Sequence, residues 1–499
     1  MYQRRLSLAG QVFLLVGLVV ATAVGQDFAN DIVDRERQQQ QSDRQTPPSG
    51  GSTDVTQQNA ANRARMMAAL VKEMNELIPG DYPENAPQQA LLIKLANAIL
   101  QSDAKTVDAT LGQLVEGDPS LPPKGLLLAA ANFTVSNAAG GRAMLERAAI
   151  ENPGHPSISI AFSRLAISQG RTSDALALVE KAIRQMGAAE LTPVEQRHYQ
   201  IESLDVQQII AKRQNRMEDA LALVGQWEQL DPSNPKMMIG RAEVAFEQGD
   251  IDTSQQYLRK FRAVVPDSQP TELVLATWFQ KKGNAKGTDE WVRKASENYP
   301  ENPEVQIELG NWAISQEDFD TALEVIANVE TKRGQNFATN LMKGRIAFAK
   351  GDYSQAEQIF DQLYQLQPSN FDVSNMYALS LAENGDAAKK NLGVQLAERN
   401  LRGLPNSQIA QAAFGWALFK SGNVADAKTM FSRVARQQRL PPEIAYYLAV
   451  LLVEQGQADQ AKQLLQSALQ SKGMFLYRVK AREALKQLES EAGLPAPDK

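Results

Sequence analysis

Residues 337–370 read FATNLMKGRIAFAKGDYSQAEQIFDQLYQLQPSN. Inside this stretch, "AKGDYSQAEQIF", Ala349 to Phe360, has the grammar of a helix end, a glycine turn and a new helix start. Thirty-four residues earlier, "SQEDFDTALEVI", Ser315 to Ile326, repeats it. With the turn residue as marker, the series runs Ser102, Ser136, Gly170, Asn215, Gly249, Gly283, Glu317, Gly351, Gly385, Gly422 and Gly456. Successive spacings are 34, 34, 45, 34, 34, 34, 34, 34, 37 and 34. A fixed period of this length marks a solenoid of repeated supersecondary units.

Other columns keep the same phase. Seven residues before the marker stand Ala129, Ser163, Ala242, Ala276, Gly310, Gly344, Ala378, Gly415 and Ala449, and only Leu95 and Gln208 are large there. Five residues after it stand Ala175, Ala220, Ala322, Ala356, Ala427 and Ala461. Small side chains at fixed sites on both helices let two axes approach closely. Seventeen residues after the marker come Pro119, Pro153, Pro232, Pro266, Pro300 and Pro368, each placed to end the second helix. Asn234-Pro235 and Asn302-Pro303 supply a capping side chain ahead of a first-turn proline.

These columns resemble the tetratricopeptide repeat family, a 34-residue helix–turn–helix unit. Residues 337–370 lie near its consensus, with Gly344 and Ala347 on helix A and Ala356, Phe360 and Pro368 on helix B. Val107 and Gly141 stand where alanine is usual. The resemblance covers residues 88–475 and implies an all-α, right-handed alpha-alpha superhelical solenoid of about eleven such units. A single hairpin of this size loses roughly 1.5 kcal/mol of conformational entropy per ordered residue and cannot bury enough alone. Stacking on neighbours closes that gap, and caps protect the ends.

Two intervals are irregular. The 45 contains eleven extra residues, about three helical turns, in "ELTPVEQRHYQ", Glu190 to Gln200. Thr192 to Glu195 reads as a capping box with proline at the first helical position, which predicts a lengthened helix A. The 37 holds three extra residues near "GDAAKKNLG", expected at the A–B turn.

The ends differ in composition. Residues 1–25 carry Arg4 and Arg5, an apolar run densest from Val12 to Val24, and small Ala23 and Gly25 before a possible cut ahead of Gln26. That layout predicts a secretory signal peptide and an exported, periplasmic or extracellular protein. An uncleaved anchor over Leu6 to Gly25, or a buried apolar helix of a cytoplasmic protein, are the alternatives. Residues 26–62, with a glutamine run and "TPPSGGSTD", read as a disordered linker. Met66, Leu70, Met74 and Leu77 predict an N-terminal capping helix within residues 63–87. "YRVKAREALKQLES" predicts a C-terminal capping helix and tail over 476–499.

The 499 residues contain no cysteine, which excludes disulfides, zinc thiolates and thiol catalysis. The formal charge of −6 would become about −8 on loss of Arg4 and Arg5, and there is no basic block, so no nucleic-acid partner is expected. Neither a Gly-Lys pair of a phosphate-binding loop nor a G-x-S-x-G elbow occurs. The two histidines, His155 in "NPGHPS" and His198, have no second histidine or cysteine four residues on. No enzyme activity, metal or cofactor is therefore expected.

What the resemblance implies is binding of a protein or peptide in a groove lined by the A helices, at the second, fifth, ninth, twelfth and thirteenth positions of each unit. Carried onto this chain, those positions include Arg164, Asn311, Arg345, Trp416, Phe419 and Tyr446. Trp416 and Phe419 share a helix face, and Tyr446 lies on the next A helix. They suit binding anchors, or they fill gaps between adjacent helices. The Lys/Asn pattern of chaperone-binding members is missing from the fifth and ninth positions. The expected role is a scaffold of protein–protein contacts in a cell-envelope or secretion assembly; the alternative is a component contacting a polymer in exopolysaccharide export. A membrane contact is expected only through an uncleaved N-terminal segment, and the oligomeric state is left open.

Overall fold

The computed structural model describes residues 52–79, 86–118, 120–135, 137–435 and 440–492. The expected signal peptide, most of the expected linker, the marker Ser136 and Pro119 lie outside them. The described residues form helices and no strand. After α1 (Ser52–Glu76), the helices pair as eleven hairpins. They are α2 (Pro87–Leu100) with α3 (Ala104–Gly117), α4 (Lys124–Thr134) with α5 (Ala138–Glu151), and α6 (Pro156–Ser168) with α7 (Thr172–Ala188). Next come α8 (Pro193–Arg213) with α9 (Met217–Leu230), α10 (Pro235–Glu247) with α11 (Ile251–Val264), and α12 (Thr271–Lys281) with α13 (Ala285–Asn298). Then follow α14 (Pro303–Ser315) with α15 (Phe319–Arg333), α16 (Phe337–Ala349) with α17 (Tyr353–Leu366), and α18 (Phe371–Glu383) with α19 (Ala387–Gly403). The last are α20 (Gln408–Lys420) with α21 (Val424–Val434) and α22 (Pro442–Glu454) with α23 (Ala458–Leu469), and α24 (Arg478–Ala492) ends the series. The chain is an all-α solenoid.

The marker residues make the hairpins. Gly170, Gly249, Gly283, Gly351, Gly422 and Gly456 all have φ between +69° and +92°. Ser102, Asn215 and Glu317, the markers without glycine, hold the same left-handed conformation at φ +55°, +58° and +62°. Gly385 is not left-handed, but at the other described markers the next residue closes the turn: Asp352 N–H donates to the Ala347 carbonyl at 2.9 Å, and Asp318 N–H to that of Ala313 at 2.9 Å. That is the paired closure of a helix C-terminus on a left-handed residue. Where that residue is Asp or Asn it also caps helix B, as Asp250 accepts from Thr253 N–H and Asp352 from Gln355 N–H, both at 3.0 Å. The predicted Thr192–Glu195 capping box is formed, with Glu195 N–H donating to Thr192 Oγ1 at 3.2 Å.

The small-residue columns lie between the two helices of a hairpin. Ala175, Ala220, Ala322, Ala356, Ala427 and Ala461 are all fully buried. A Cβ on Gly344 would sit 2.9 Å from Cζ of the buried Phe360, which fills the space the glycine leaves.

Both insertions are placed differently from the sequence expectation. Helix α8 has 21 residues against 13 for α6 or α10, and α7 has 17 against 14 for α9 or α11. The eleven extra residues are thus shared between the end of one helix B and the start of the next helix A. The three extra residues of the other interval do not enlarge the A–B turn. Helix α19 takes them, at 17 residues, and the turn Asn384–Asp386 keeps its usual length. Three residues are nearly one helical turn, so the buried face stays in phase. Gly393 consequently stands in the alanine column, 3.3 Å or less from a Cβ position to three atoms of α18.

Helix α1 begins at Ser52, so its first eleven residues fall in the stretch expected as linker. The helices fall into two compact units, Met1–Ser268 and Gln269–Lys499. Unit 1 holds α1 and five hairpins; unit 2 holds six hairpins and α24. A continuous core in unit 2 runs from Ala347 and Phe348 through Trp416 and Tyr447 to Tyr477 and Leu488.

Candidate functional site

Each unit has a side lined by its A helices, here the A face. On it, residues one period apart touch: Arg345 donates to Asn311 Oδ1 at 3.1 Å, both being ninth in their units. The phase assigned from sequence therefore places neighbouring side chains together.

In unit 1 the A face carries a charge network. Arg164, at the end of the α6 face, donates to Glu202 at 2.6 Å and to Asp205 at 2.7 Å, both on the lengthened α8. Burial works against the charge on Arg164, and the two carboxylates more than offset it, holding its pKa above the ordinary value. Burial likewise opposes the charge on Glu202 and Asp205, and Arg164 with Lys236 keeps both carboxyls below their usual range. Lys236, first turn of α10, pairs with Glu76 at 2.7 Å. Lys212 pairs with Glu243 beside them. Glu76 ends α1, whose Leu70, Met74 and the following Ile78 are fully buried against a core that includes Leu92, Leu95 and Leu127. Helix α1 therefore rests on the A face of its own unit.

In unit 2 the A face is aromatic around a buried acid. Trp416 stacks on Phe419 with centroids 5.3 Å apart and on Tyr447 at 4.5 Å, and contacts Tyr446 at 5.7 Å. Its indole N–H donates to Glu383 at 2.8 Å. The Glu383 side chain is 1% exposed and pairs with Lys420 and Lys480, each at 3.1 Å. Burial pushes this carboxyl up, and the two ammonium groups with the indole pull it below its ordinary range. Lys480 belongs to α24, and Tyr477 immediately before that helix is 1% exposed. The Tyr477 ring meets Phe348 at 5.1 Å, Tyr446 at 5.0 Å, Tyr447 at 5.2 Å and Trp416 at 5.9 Å. Arg482 reaches Glu317 at 2.5 Å, and Gln316 donates to the Lys472 carbonyl at 2.9 Å.

The structure thus brings Trp416, Phe419 and Tyr446 together, joins Asn311 to Arg345, and places Arg164 in the other unit. Trp416 and Tyr446 are 2% and 6% exposed, so both are covered in this conformation. His155 is a cap: its Nδ1 lies 3.3 Å from the Ser157 amide N–H at the start of α6. Among the described residues, no three acidic or histidine side chains are grouped to hold a metal, and no helix is long and apolar enough to cross a membrane.

Family models described as tetratricopeptide repeat match residues 341–389 and 418–474, within the hairpins of unit 2. The chain carries tetratricopeptide repeats (TPRs). Solved structures similar to it include PilW, described as a widely conserved type IV pilus biogenesis factor, at 17% identity and TM-score 0.33 over 44% of this chain and 98% of that one. The thermophilic TPR protein TTC0263 of Thermus thermophilus aligns at 17% identity and TM-score 0.31, over 37% of this chain and all of that one. Yeast Tom70 aligns at 11% identity and TM-score 0.35, over 82% of this chain and 97% of that one. None of these likenesses is close enough to carry function. No curated protein sequence matches the chain.

The TPR phase already contained several residues that were not singled out. Glu202 and Lys236 are second in their units, Asp205 fifth, Phe348 twelfth, and Glu383 and Lys420 thirteenth. Tyr477 and Lys480 lie beyond the array, where the period gives no signal.

Proposed function

We propose that this TPR protein is an exported, non-enzymatic scaffold that binds protein segments on its A faces within a cell-envelope or secretion assembly. One observation carries the binding part: each A face already holds a helical segment of the chain itself, α1 in unit 1 and α24 in unit 2, through side chains at the repeat's groove positions. A surface that orders a helix in this way has the aromatic and ionic features of a helix-binding groove. Export rests on the leader-like sequence of residues 1–25. A polymer-binding role would use the same aromatic face, but the segments that occupy the A faces in this structure are protein helices, which favours a protein partner.

The test is site-specific photo-cross-linking in the producing cell. A photoreactive residue replacing Phe419, at the margin of the unit 2 A face, should trap a discrete protein partner. The same residue at Leu366, exposed on α17, should not. Equal trapping from both sites, or trapping of polysaccharide alone, would overturn the reading.

A further inference from the structure

Helix α24 is unlike the helices it covers. Its first half carries Arg478, Lys480 and Arg482 against one acid, Glu483, and its second half carries Glu489. Cations near a helix N-terminus and anions near its C-terminus both oppose the macrodipole. Nor is there an acidic residue in its first turn. Its charges do not favour the helix on its own, and its order comes from packing on α23 and from its side-chain contacts with the A face.

The contacts are those of a ligand in a pocket. Tyr477 sits in a box built by three A helices, with Phe348 from α16, Trp416 from α20, and Tyr446 and Tyr447 from α22. Three positions on, Lys480 meets the buried Glu383 and lies over the Tyr353 ring at 4.5 Å. Arg482 meets Glu317. The box does not depend on α24 for its own charge balance. Glu383 keeps Lys420 and the Trp416 N–H, both from the array, when Lys480 leaves. A buried acid left with an ammonium and a hydrogen-bond donor is still a satisfied group.

We propose that α24 is a displaceable ligand of the chain's own making. On this assignment, the partner of the unit 2 A face is a protein helix with an aromatic residue and, three positions later, Lys or Arg. The aromatic residue takes the place of Tyr477 and the cation that of Lys480. This rests on the scaffold reading above and adds to it which face is used, what chemistry it selects, and why the site is closed in the free chain. A tethered segment competes at an effective concentration of roughly millimolar, so the wild-type chain masks its own site.

The experiment uses the full chain and a labelled synthetic peptide of residues 472–490. Tyr477→Ser with Lys480→Glu in the chain weakens the internal ligand and leaves the box intact. This double variant should bind the peptide at least tenfold more tightly than wild type. A peptide carrying the same two changes should not bind. Equal affinity of the two chains, or binding indifferent to the peptide changes, overturns the proposal. So does a double variant whose circular dichroism shows loss of the hairpins as well as α24. On the wild-type chain, amides of α24 should exchange with solvent at least tenfold faster than those of α20, and faster again with peptide added. Equal protection overturns the proposal without any mutation. Peptide binding with no partner trapped from Phe419 sinks the scaffold reading alone; a trapped partner with no peptide binding sinks the assignment of α24 alone.

Discussion

Gly393→Ala tests the packing of the hairpins at the place where the repeat is irregular. The added Cβ would lie 2.8 Å from the Ala378 carbonyl oxygen, 3.2 Å from the Ala382 nitrogen and 3.3 Å from the Leu381 Cβ. Two of these are backbone atoms of α18, which cannot rotate aside. Replacing glycine by alanine inside a helix gains about 1 kcal/mol of intrinsic propensity. Overpacking costs typically ~1–3 kcal/mol, and a backbone contact belongs at the upper end. The expected net effect is a loss of about 1–2 kcal/mol. Gly225→Ala is the matched control, because no atom lies within 4 Å of its Cβ position in α9. It should keep the gain of about 1 kcal/mol. Urea titrations followed by circular dichroism would compare the two against wild type. Midpoints that move in the same direction would refute the placement of the three extra residues in α19, since that placement sets Gly393 against α18.

Further outcomes follow from other positions. Ala356→Leu should wedge α16 from α17 and cost ~1–3 kcal/mol in a thermal melt, because Ala356 is fully buried in the small-residue column. An exposed helix position given the same change should move little. Ser102→Gly should raise stability by about 0.5–1 kcal/mol, since a left-handed non-glycine residue costs roughly 1–2 kcal/mol and glycine's extra entropy offsets part of that gain. Ser102→Ala, which stays strained, should show no gain. Burial pushes the Glu443 carboxyl up to about 7, against its own and the Leu476 backbone N–H groups. Its folded pKa is raised, so its contribution is full below about pH 4.3 and is lost as pH rises through about 7. Glu443→Gln should therefore gain on wild type from pH 4 to pH 8 in chemical melts; a constant difference would contradict this.

Much of the fold is readable because it is local and periodic. The left-handed turn needs one residue per period, and the pattern locates it even where the residue is Ser102, Asn215 or Glu317. The capping asparagines and aspartates act within three residues of themselves, so spacing suffices to find them. The insertion near Gly385 is misplaced by the sequence pattern because a loop and a helix can both absorb three residues. Only the contact of Gly393 with α18 decides between them. The sites are less readable. Glu383 sits in "LAENGDAAKK", which looks like a solvated helix end. Its burial follows from Trp416, Lys420 and Lys480, the last 97 residues away. Docking of α1 and α24 on the A faces joins segments outside the repeat to segments inside it, and no period records that.

The chain has no cysteine, so one labelled pair can report on α24 without background. Spin labels on Lys486→Cys in α24 and Asp320→Cys in α15, both exposed positions of unit 2, give the distance across the A face by pulsed electron resonance. The account predicts one narrow distance in the free chain. Saturating the chain with the peptide of residues 472–490 should add a second, longer and broader population. A distance distribution that stays single and unmoved at saturating peptide would contradict it.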